Sequence, residues 1–300
     1  MKTIHGLLLA LSLALAAAPA AALNVFACEP EWGALVRELA GPRATVFTAT
    51  TALQDPHRIE ARPSLIARMR SADLVVCTGA DLEAGWLPVL LAHAGNGRVQ
   101  PGSQGYFEAA QQVSLLEIPR VLDRSLGDLH PGGNPHLHLD PRNIGVVAEV
   151  LAARLAQIDA VNAADYAARA SAFRERWQSA IRRWEAEAAP LKGAALVVYH
   201  RDLAYLFSWL GLRESGSLEP RPGMPPTPAH LAQLLERLRK EPARAIVYSA
   251  YASPKAAEFL ASRAGIPATL LPYTVGGSGG AKDLFGLFDD TIARLLAVAR

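Results

Sequence analysis

Three histidines occupy comparable places in the sequence and could together bind a metal ion. His57 and His136 each follow a proline, whose ring stiffens the backbone that presents the imidazole, and His200 ends an apolar run. Neutral imidazole binds Zn²⁺ at about 2.0–2.1 Å, and three or four such ligands complete a tetrahedral site. Imidazole-rich sites favour zinc or copper over manganese, which prefers oxygen. The residue types therefore indicate a transition-metal site, provided that folding brings the rings together.

Spacing alone does not specify that site, because the three histidines are far apart in sequence. His136 and His138 form the one close pair, and in an extended segment both rings would point to one face. For each histidine the alternative is a surface residue or a hydrogen-bonded core residue.

The elements that must position these rings follow a repeated strand–helix order. Residues 23–140 alternate short apolar runs with helical stretches, and a second such series fills residues 191–300. This rhythm predicts two α/β lobes, each with a parallel sheet and helical crossovers. Ligands of such sheets bind at the carboxyl ends of the strands, where all three histidines are expected. Two lobes that face each other would form a metal site in the cleft between them.

A long helical pattern over residues 141–190 is expected to connect the lobes. Asp140 is a suitable N-cap and Pro141 suits the first helical position. Apolar residues recur at helical spacing as far as Pro190, although the pattern weakens at Asp159–Asn162. An unbroken helix of some 45 residues would be about 70 Å long, more than one small lobe requires.

Composition excludes several classes of protein. A hydrophobic share of 51% is too high for a disordered chain, and a net charge of +2 without a basic stripe argues against nucleic-acid binding. Residues 1–22 have a short basic start, an apolar run and small residues at the end, which predicts a cleaved secretory signal peptide. A lipid anchor on Cys28 is the competing interpretation.

Cys28 and Cys77 are the two cysteines of the chain, and each ends a strand-like apolar run. In an oxidising compartment they could form a disulfide, but two buried free thiols fit the sequence equally well.

Three segments around the histidines resemble the motifs of the zinc/manganese ABC-transporter substrate-binding family, cluster A-I, zinc type. They are Asp55-Pro56-His57-Arg58-Ile59-Glu60, Asn134-Pro135-His136-Leu137-His138-Leu139-Asp140-Pro141 and Tyr199-His200-Arg201-Asp202-Leu203-Ala204-Tyr205-Leu206. The resemblance implies two α/β lobes joined by a long helix, with a metal ion between them. It also implies that His57 and His136 bind this ion from the first lobe and His200 from the second.

The chain departs from that family in its fourth ligand. The resemblance implies an acidic residue after the last strand of the second lobe, but this stretch has none, and Asp283 is the nearest acid downstream. Asp283 also suits the N-cap of the last helix, and His138 or water are further candidates. The family's long His-rich loop is missing, and only His130 remains near the site, either as a residue that collects metal or as a simple loop residue. Asp140 and Glu60 are expected to orient the ligand rings, or to be a helix cap and a surface charge.

The resemblance implies a periplasmic, monomeric, non-enzymatic protein that captures Zn²⁺, or Mn²⁺, and delivers it to an ABC permease in the inner membrane. One alternative is a zinc-dependent hydrolase, because three histidines and water also form a catalytic zinc site. Against it, the sequence shows no evident general base and no helical His-Glu-x-x-His pair. Another is a protein of similar fold that binds an organic, siderophore-type ligand, which would need a cleft lined by aromatic residues or arginine.

Overall fold

Two four-stranded parallel sheets form the frame of the protein. A computed structural model describes residues 22–119, 127 and 130–299 of the chain, so the predicted signal peptide lies almost wholly outside the described residues. The strand orders are β2-β1-β3-β4 and β6-β5-β7-β8. The strands are β1 Leu23–Ala27, β2 Ala44–Thr48, β3 Leu74–Cys77, β4 Tyr106–Glu108, β5 Ala195–Val198, β6 Arg213–Ser217, β7 Ala245–Ser249 and β8 Ala268–Leu271.

The inner strands of both sheets are apolar because helices cover both of their faces. Val25 of β1 packs in a central core, while the next residue, Phe26, packs in an outer core on the opposite face. The same alternation places Val198 in the central core and Val197 in another outer cluster. Successive side chains of a strand point to opposite faces, so a parallel strand buried on both sides reads as a continuous apolar run.

Helices complete the two lobes and confirm the predicted α/β fold. Pro63, Pro141 and Pro228 each occupy a first helical position, where the missing N–H costs no hydrogen bond. The helices are α1 Pro30–Ala40, α2 Pro63–Arg70, α3 Leu87–Ala94, α4 Pro141–Ile158, α5 Ala163–Ala188, α6 Ala204–Leu210, α7 Pro228–Lys240, α8 Lys255–Ala264 and α9 Leu284–Ala299.

The segment 141–190, expected as one helix, consists of two. The long helix is present as α5, with 26 residues, but α4 ends at Ile158 and a short 3₁₀ turn at Ala160–Asn162 separates them. The chain folds back there, because Trp177 of α5 donates from its indole N–H to the carbonyl of Pro141 at the start of α4. The weak apolar pattern at residues 159–162 marks this reversal, so the segment is a helical hairpin.

One apolar cluster joins the two lobes. It contains buried residues of both sheets, such as Val76 of β3 and Val247 of β7, together with α1, α4, α5 and α9. Trp177 and Trp184 of α5 lie in this cluster, and their rings meet edge to face at 5.1 Å. The lobes therefore share a continuous core.

Cys28 and Cys77 form a disulfide, which resolves the question that the sequence left open. It connects the carboxyl ends of β1 and β3, whose Cα atoms stand 4.8 Å apart at the two cysteines. Among the described residues, no helix combines the length and the apolar character that crossing a membrane would require.

Candidate metal centre

The three predicted histidines meet at the carboxyl ends of strands from both sheets. His57 lies in the loop after β2, His136 in the segment between β4 and α4, and His200 just after β5. One nitrogen from each ring lies within 4.8 Å of the corresponding nitrogens of the other two. Zinc ligands in a tetrahedron stand about 3.3 Å apart, so small rotations of the rings would bring them to one ion. The structure thus gathers these residues in the geometry that a shared cation needs.

Matching turns present two of these rings. In Asp55-Pro56-His57 the carboxylate of Asp55 accepts the backbone N–H of His57 at 3.0 Å. In Asn134-Pro135-His136 the side-chain oxygen of Asn134 accepts the backbone N–H of His136 at the same distance. An Asp or Asn oxygen that bonds two residues ahead closes a turn, and the intervening proline fixes one of its dihedrals. The turns therefore hold each histidine backbone in place before any ion binds.

An oxygen atom lies beside Nδ1 of each of the three rings. Nδ1 of His57 is 2.7 Å from Asp55 Oδ1, and Nδ1 of His200 is 2.7 Å from Glu219 Oε2. Because carboxylates only accept, these two nitrogens carry the proton and Nε2 keeps its lone pair. Nδ1 of His136 is 2.9 Å from the hydroxyl oxygen of Tyr273. Hydrogen bonds of this kind fix the tautomer of metal-binding histidines and leave Nε2 for the metal.

Burial and neighbouring charge act on the rings in opposite directions. Burial lowers the pKa of His136 well below its usual value, and the charges of His57 and His200 add to this effect. Burial also lowers the pKa of His200, but the carboxylates around it, led by Glu219, outweigh that effect and the pKa is raised. His136 is therefore neutral at neutral pH and ready to bind, whereas a proton competes with metal at His200.

His130, whose role the sequence left open, lies against His57. The two Nε2 atoms are 3.2 Å apart and the ring centroids 5.2 Å. Burial and the charge of His57 together lower the pKa of His130 to about 4, so this ring is neutral near pH 7. His130, His136 and His200 line one cavity of about 380 Å³, which is the opening to the site.

Neither candidate fourth ligand joins this group. Asp283 is exposed, and its side chain accepts the backbone N–H of Gly286, so it caps α9. His138 is fully buried, and its Nε2 donates to the carbonyl oxygen of Tyr273 at 3.0 Å, so this nitrogen has no lone pair to offer. Its Nδ1 faces Glu31 Oε1 at 3.3 Å instead of the three histidines.

Of the two roles that the sequence left open for Asp140 and Glu60, the structure supports the helix cap and the surface charge. Asp140 accepts the backbone N–H of Arg142 and pairs with its guanidinium, so it is the cap of α4. Glu60 is exposed. Asp55, Glu219 and Tyr273 take the orienting role. Of these, Asp55 could have been found from the Asp-Pro-His turn, whereas Tyr273 is 137 residues from its partner.

A second grouping of possible ligand atoms consists of Cys28, Cys77 and Glu83. It is no metal site, because the two sulfur atoms are bonded to each other. The histidine group is thus the candidate centre among the residues that the structure describes.

Comparisons of sequence and structure place the chain in a known family. The family model described as zinc-uptake complex component A, periplasmic, matches residues 25–298, which is nearly the whole chain. The chain belongs to this family.

Individual relatives are distant. The zinc uptake protein ZnuA of Brucella abortus is 28% identical over 120 residues, which cover 40% of this chain and 36% of that protein. The chain therefore aligns with about a third of the length of these relatives. ZnuA of Paracoccus denitrificans is 24% identical over 312 residues, with 92% of each chain covered. A crystal structure of ZnuA has the same fold, with a TM-score of 0.78, 21% identity, and coverage of 92% of this chain and 99% of that one.

Proposed function

We propose that the protein captures Zn²⁺ between its lobes and delivers it to an ABC permease for uptake. The observation that carries this proposal is the convergence of His57, His136 and His200, each with an oxygen partner on Nδ1. Three neutral imidazoles with free Nε2 atoms suit zinc better than manganese. The zinc uptake proteins of Brucella and Paracoccus support the same cargo.

The periplasm is the proposed location. The family description names that compartment, the start of the sequence predicts a secretory signal, and the disulfide suits an oxidising environment. We propose a monomer, because one chain supplies all three imidazoles of the site.

Transport fits the site better than hydrolysis, so we propose that the protein is not an enzyme. A zinc hydrolase needs a free carboxylate or similar base beside the metal-bound water. The carboxylates of Asp55 and Glu219 both bond imidazole Nδ1 and orient the ligands. Nor does an organic ligand fit well, because three of the rings around the cavity are imidazoles and Arg201 is paired with Glu117 at 2.8 Å.

Calorimetric titration of the mature chain with Zn²⁺ tests the proposal. We expect His57→Ala, His136→Ala and His200→Ala each to weaken binding by at least about 100-fold, which exceeds the effect of losing a residue that merely orients a ligand. His93→Ala is the matched control, because His93 is exposed on α3. Thermal unfolding of the metal-free variants checks that they fold. Wild-type affinity in all three site variants would contradict the proposal, and competition with Mn²⁺ and Cu²⁺ identifies the preferred metal.

A further inference from the structure

His130 and His57 face each other through the same type of atom. Their Nε2 atoms lie 3.2 Å apart, which matches a hydrogen bond and also the roughly 3.3 Å edge of a zinc tetrahedron. Asp55 fixes the proton of His57 on Nδ1, so Nε2 of His57 is an acceptor. In the metal-free protein Nε2–H of His130 must therefore be the donor of this pair. The Nε2 proton of His130 thus occupies the place between the two nitrogens where a cation could bind.

The other two candidates for a fourth ligand, Asp283 and His138, are engaged elsewhere. Asp283 caps a helix at the surface, and His138 donates to the Tyr273 carbonyl. His130, by contrast, lines the same cavity as His136 and His200. Its Nδ1 is buried and forms no hydrogen bond of standard geometry, and the backbone of Ala80 is a further polar neighbour of the ring.

We propose that His130 is the fourth protein ligand of Zn²⁺, beside His57, His136 and His200, an assignment that rests on the proposed zinc-capture function. Binding replaces the Nε2 proton of His130 by the metal, and Nδ1 takes up a proton in exchange, so the ring stays neutral and changes tautomer. His130 lies outside the set of three nitrogens that are mutually within 4.8 Å. Zinc must therefore draw its ring from beside His57 toward His136 and His200, across the cavity that they share.

Four imidazoles would make the centre closed. Structural zinc sites have four protein ligands, whereas catalytic zinc keeps a position for water or substrate. A closed site binds the ion tightly and activates no water, which is what a carrier requires. The ligand number thus distinguishes a carrier from a hydrolase.

X-ray absorption of the Zn²⁺-loaded mature chain counts these ligands directly. We expect four imidazole nitrogens in the wild type, and three with one oxygen donor in His130→Ala. The same variant should bind Zn²⁺ at least about tenfold more weakly, since losing a ligand costs no less than losing a residue that orients one. His93→Ala should match the wild type in both measurements.

A gain-of-signal variant covers the case in which His130→Ala folds poorly. His130→Cys keeps a metal ligand of a different kind, so Co²⁺ loading should produce a thiolate-to-metal charge-transfer band, while His93→Cys should give none. Three imidazoles and an oxygen in the wild type, unchanged affinity in His130→Ala and no band in His130→Cys would overturn the assignment but leave zinc capture intact. Failure of the wild-type chain to bind Zn²⁺ would instead remove the proposed function.

Discussion

Tyr273 extends from the loop after β8 and places its hydroxyl oxygen 2.9 Å from Nδ1 of His136, a residue of the other lobe. Its carbonyl oxygen also accepts from His138, so one residue of the second lobe holds two histidines of the first. Tyr273 has a φ of +61°, which is unfavourable for a side chain of this size. The buried hydrogen bond between Thr274 and Glu31 helps to keep this loop in place. A metal bound by His136 therefore depends on where the second lobe sits.

Removing the hydroxyl group of Tyr273 should weaken metal binding. Tyr273→Phe keeps the ring and its packing but leaves Nδ1 of His136 without a partner, so we expect a loss of about 10- to 100-fold in Zn²⁺ affinity by calorimetry. Tyr166→Phe is the control, because it also removes a hydroxyl from a buried ring, one that bonds Asp159 outside the site. Equal affinities for the two variants would show that Tyr273 does not orient the ligand.

Zinc affinity should decrease as the pH is lowered, and the decrease should begin above pH 6.5. The pKa of His200 is raised because Glu219 and nearby carboxylates outweigh the effect of burial, and a protonated ring cannot bind zinc. Glu219→Gln removes the charge beside Nδ1, so it should weaken binding at pH 8 and move the onset of the pH-dependent loss to lower pH. Titrations between pH 5.5 and 8 measure both effects. Glu60→Gln, at an exposed position, should leave the wild-type curve unchanged, and a curve unchanged in Glu219→Gln would contradict the role given to this carboxylate.

The disulfide should be a large part of the folding stability. Cys28 and Cys77 are 49 residues apart. Closing a loop of that length reduces the entropy of the unfolded chain, which raises its free energy by about 4 kcal/mol at room temperature. We expect the double variant Cys28→Ala/Cys77→Ala to lose free energy of unfolding of that order in denaturant titrations. A reducing agent should destabilise the wild type but not the variant. A variant as stable as the oxidised wild type would refute this estimate.

A buried carboxyl pair should make stability fall as pH rises above 4.5. Burial raises the pKa of Glu83 to about 7, and that of neighbouring Glu29 is raised by burial and by the charge of Glu83. Between pH 4.5 and 7 the folded chain thus holds protons that the unfolded chain releases. Over this range the free energy of unfolding falls by about 1.4 kcal/mol for each pH unit and each such proton.

Glu83→Gln should weaken that dependence, because an amide resembles the protonated acid and its oxygen can still accept from the backbone N–H of Thr78. We expect the variant to gain on the wild type in free energy of unfolding between pH 5.5 and pH 8. Glu236→Gln, on the exposed side of α7, is the control. A parallel pH profile for Glu83→Gln and wild type would show that Glu83 does not titrate on unfolding.

The sequence predicted the strands that have an apolar pattern and missed two strands at sheet edges. The inner strands β1, β3, β5 and β7 are mostly apolar runs within the two alternating series 23–140 and 191–300. β4 has only three residues and β6 is the polar stretch RESGS at a sheet edge, so neither has an apolar pattern to detect.

For the site, sequence motifs predicted which histidines meet but not what surrounds them. His57, His136 and His200 follow strand ends, and the topology of parallel sheets brings strand ends together. The contact between Tyr273 and His136 depends on how the lobes pack, and no local pattern encodes it. The position of Asp283 in the sequence suited both a metal ligand and a helix N-cap. Its hydrogen bond with the backbone N–H of Gly286 shows that it is the cap.

The apolar cluster that joins the lobes has a consequence for how the chain can be divided. A fragment that ends near residue 190 would expose Trp177 and Trp184 to water, because the rings that pack on them, Phe285 and Phe288, belong to α9. The core clusters confined to one lobe are much smaller than the shared one. Cloned separately, each half should remain largely unstructured, and mixing both polypeptides should restore a single cooperative melting transition.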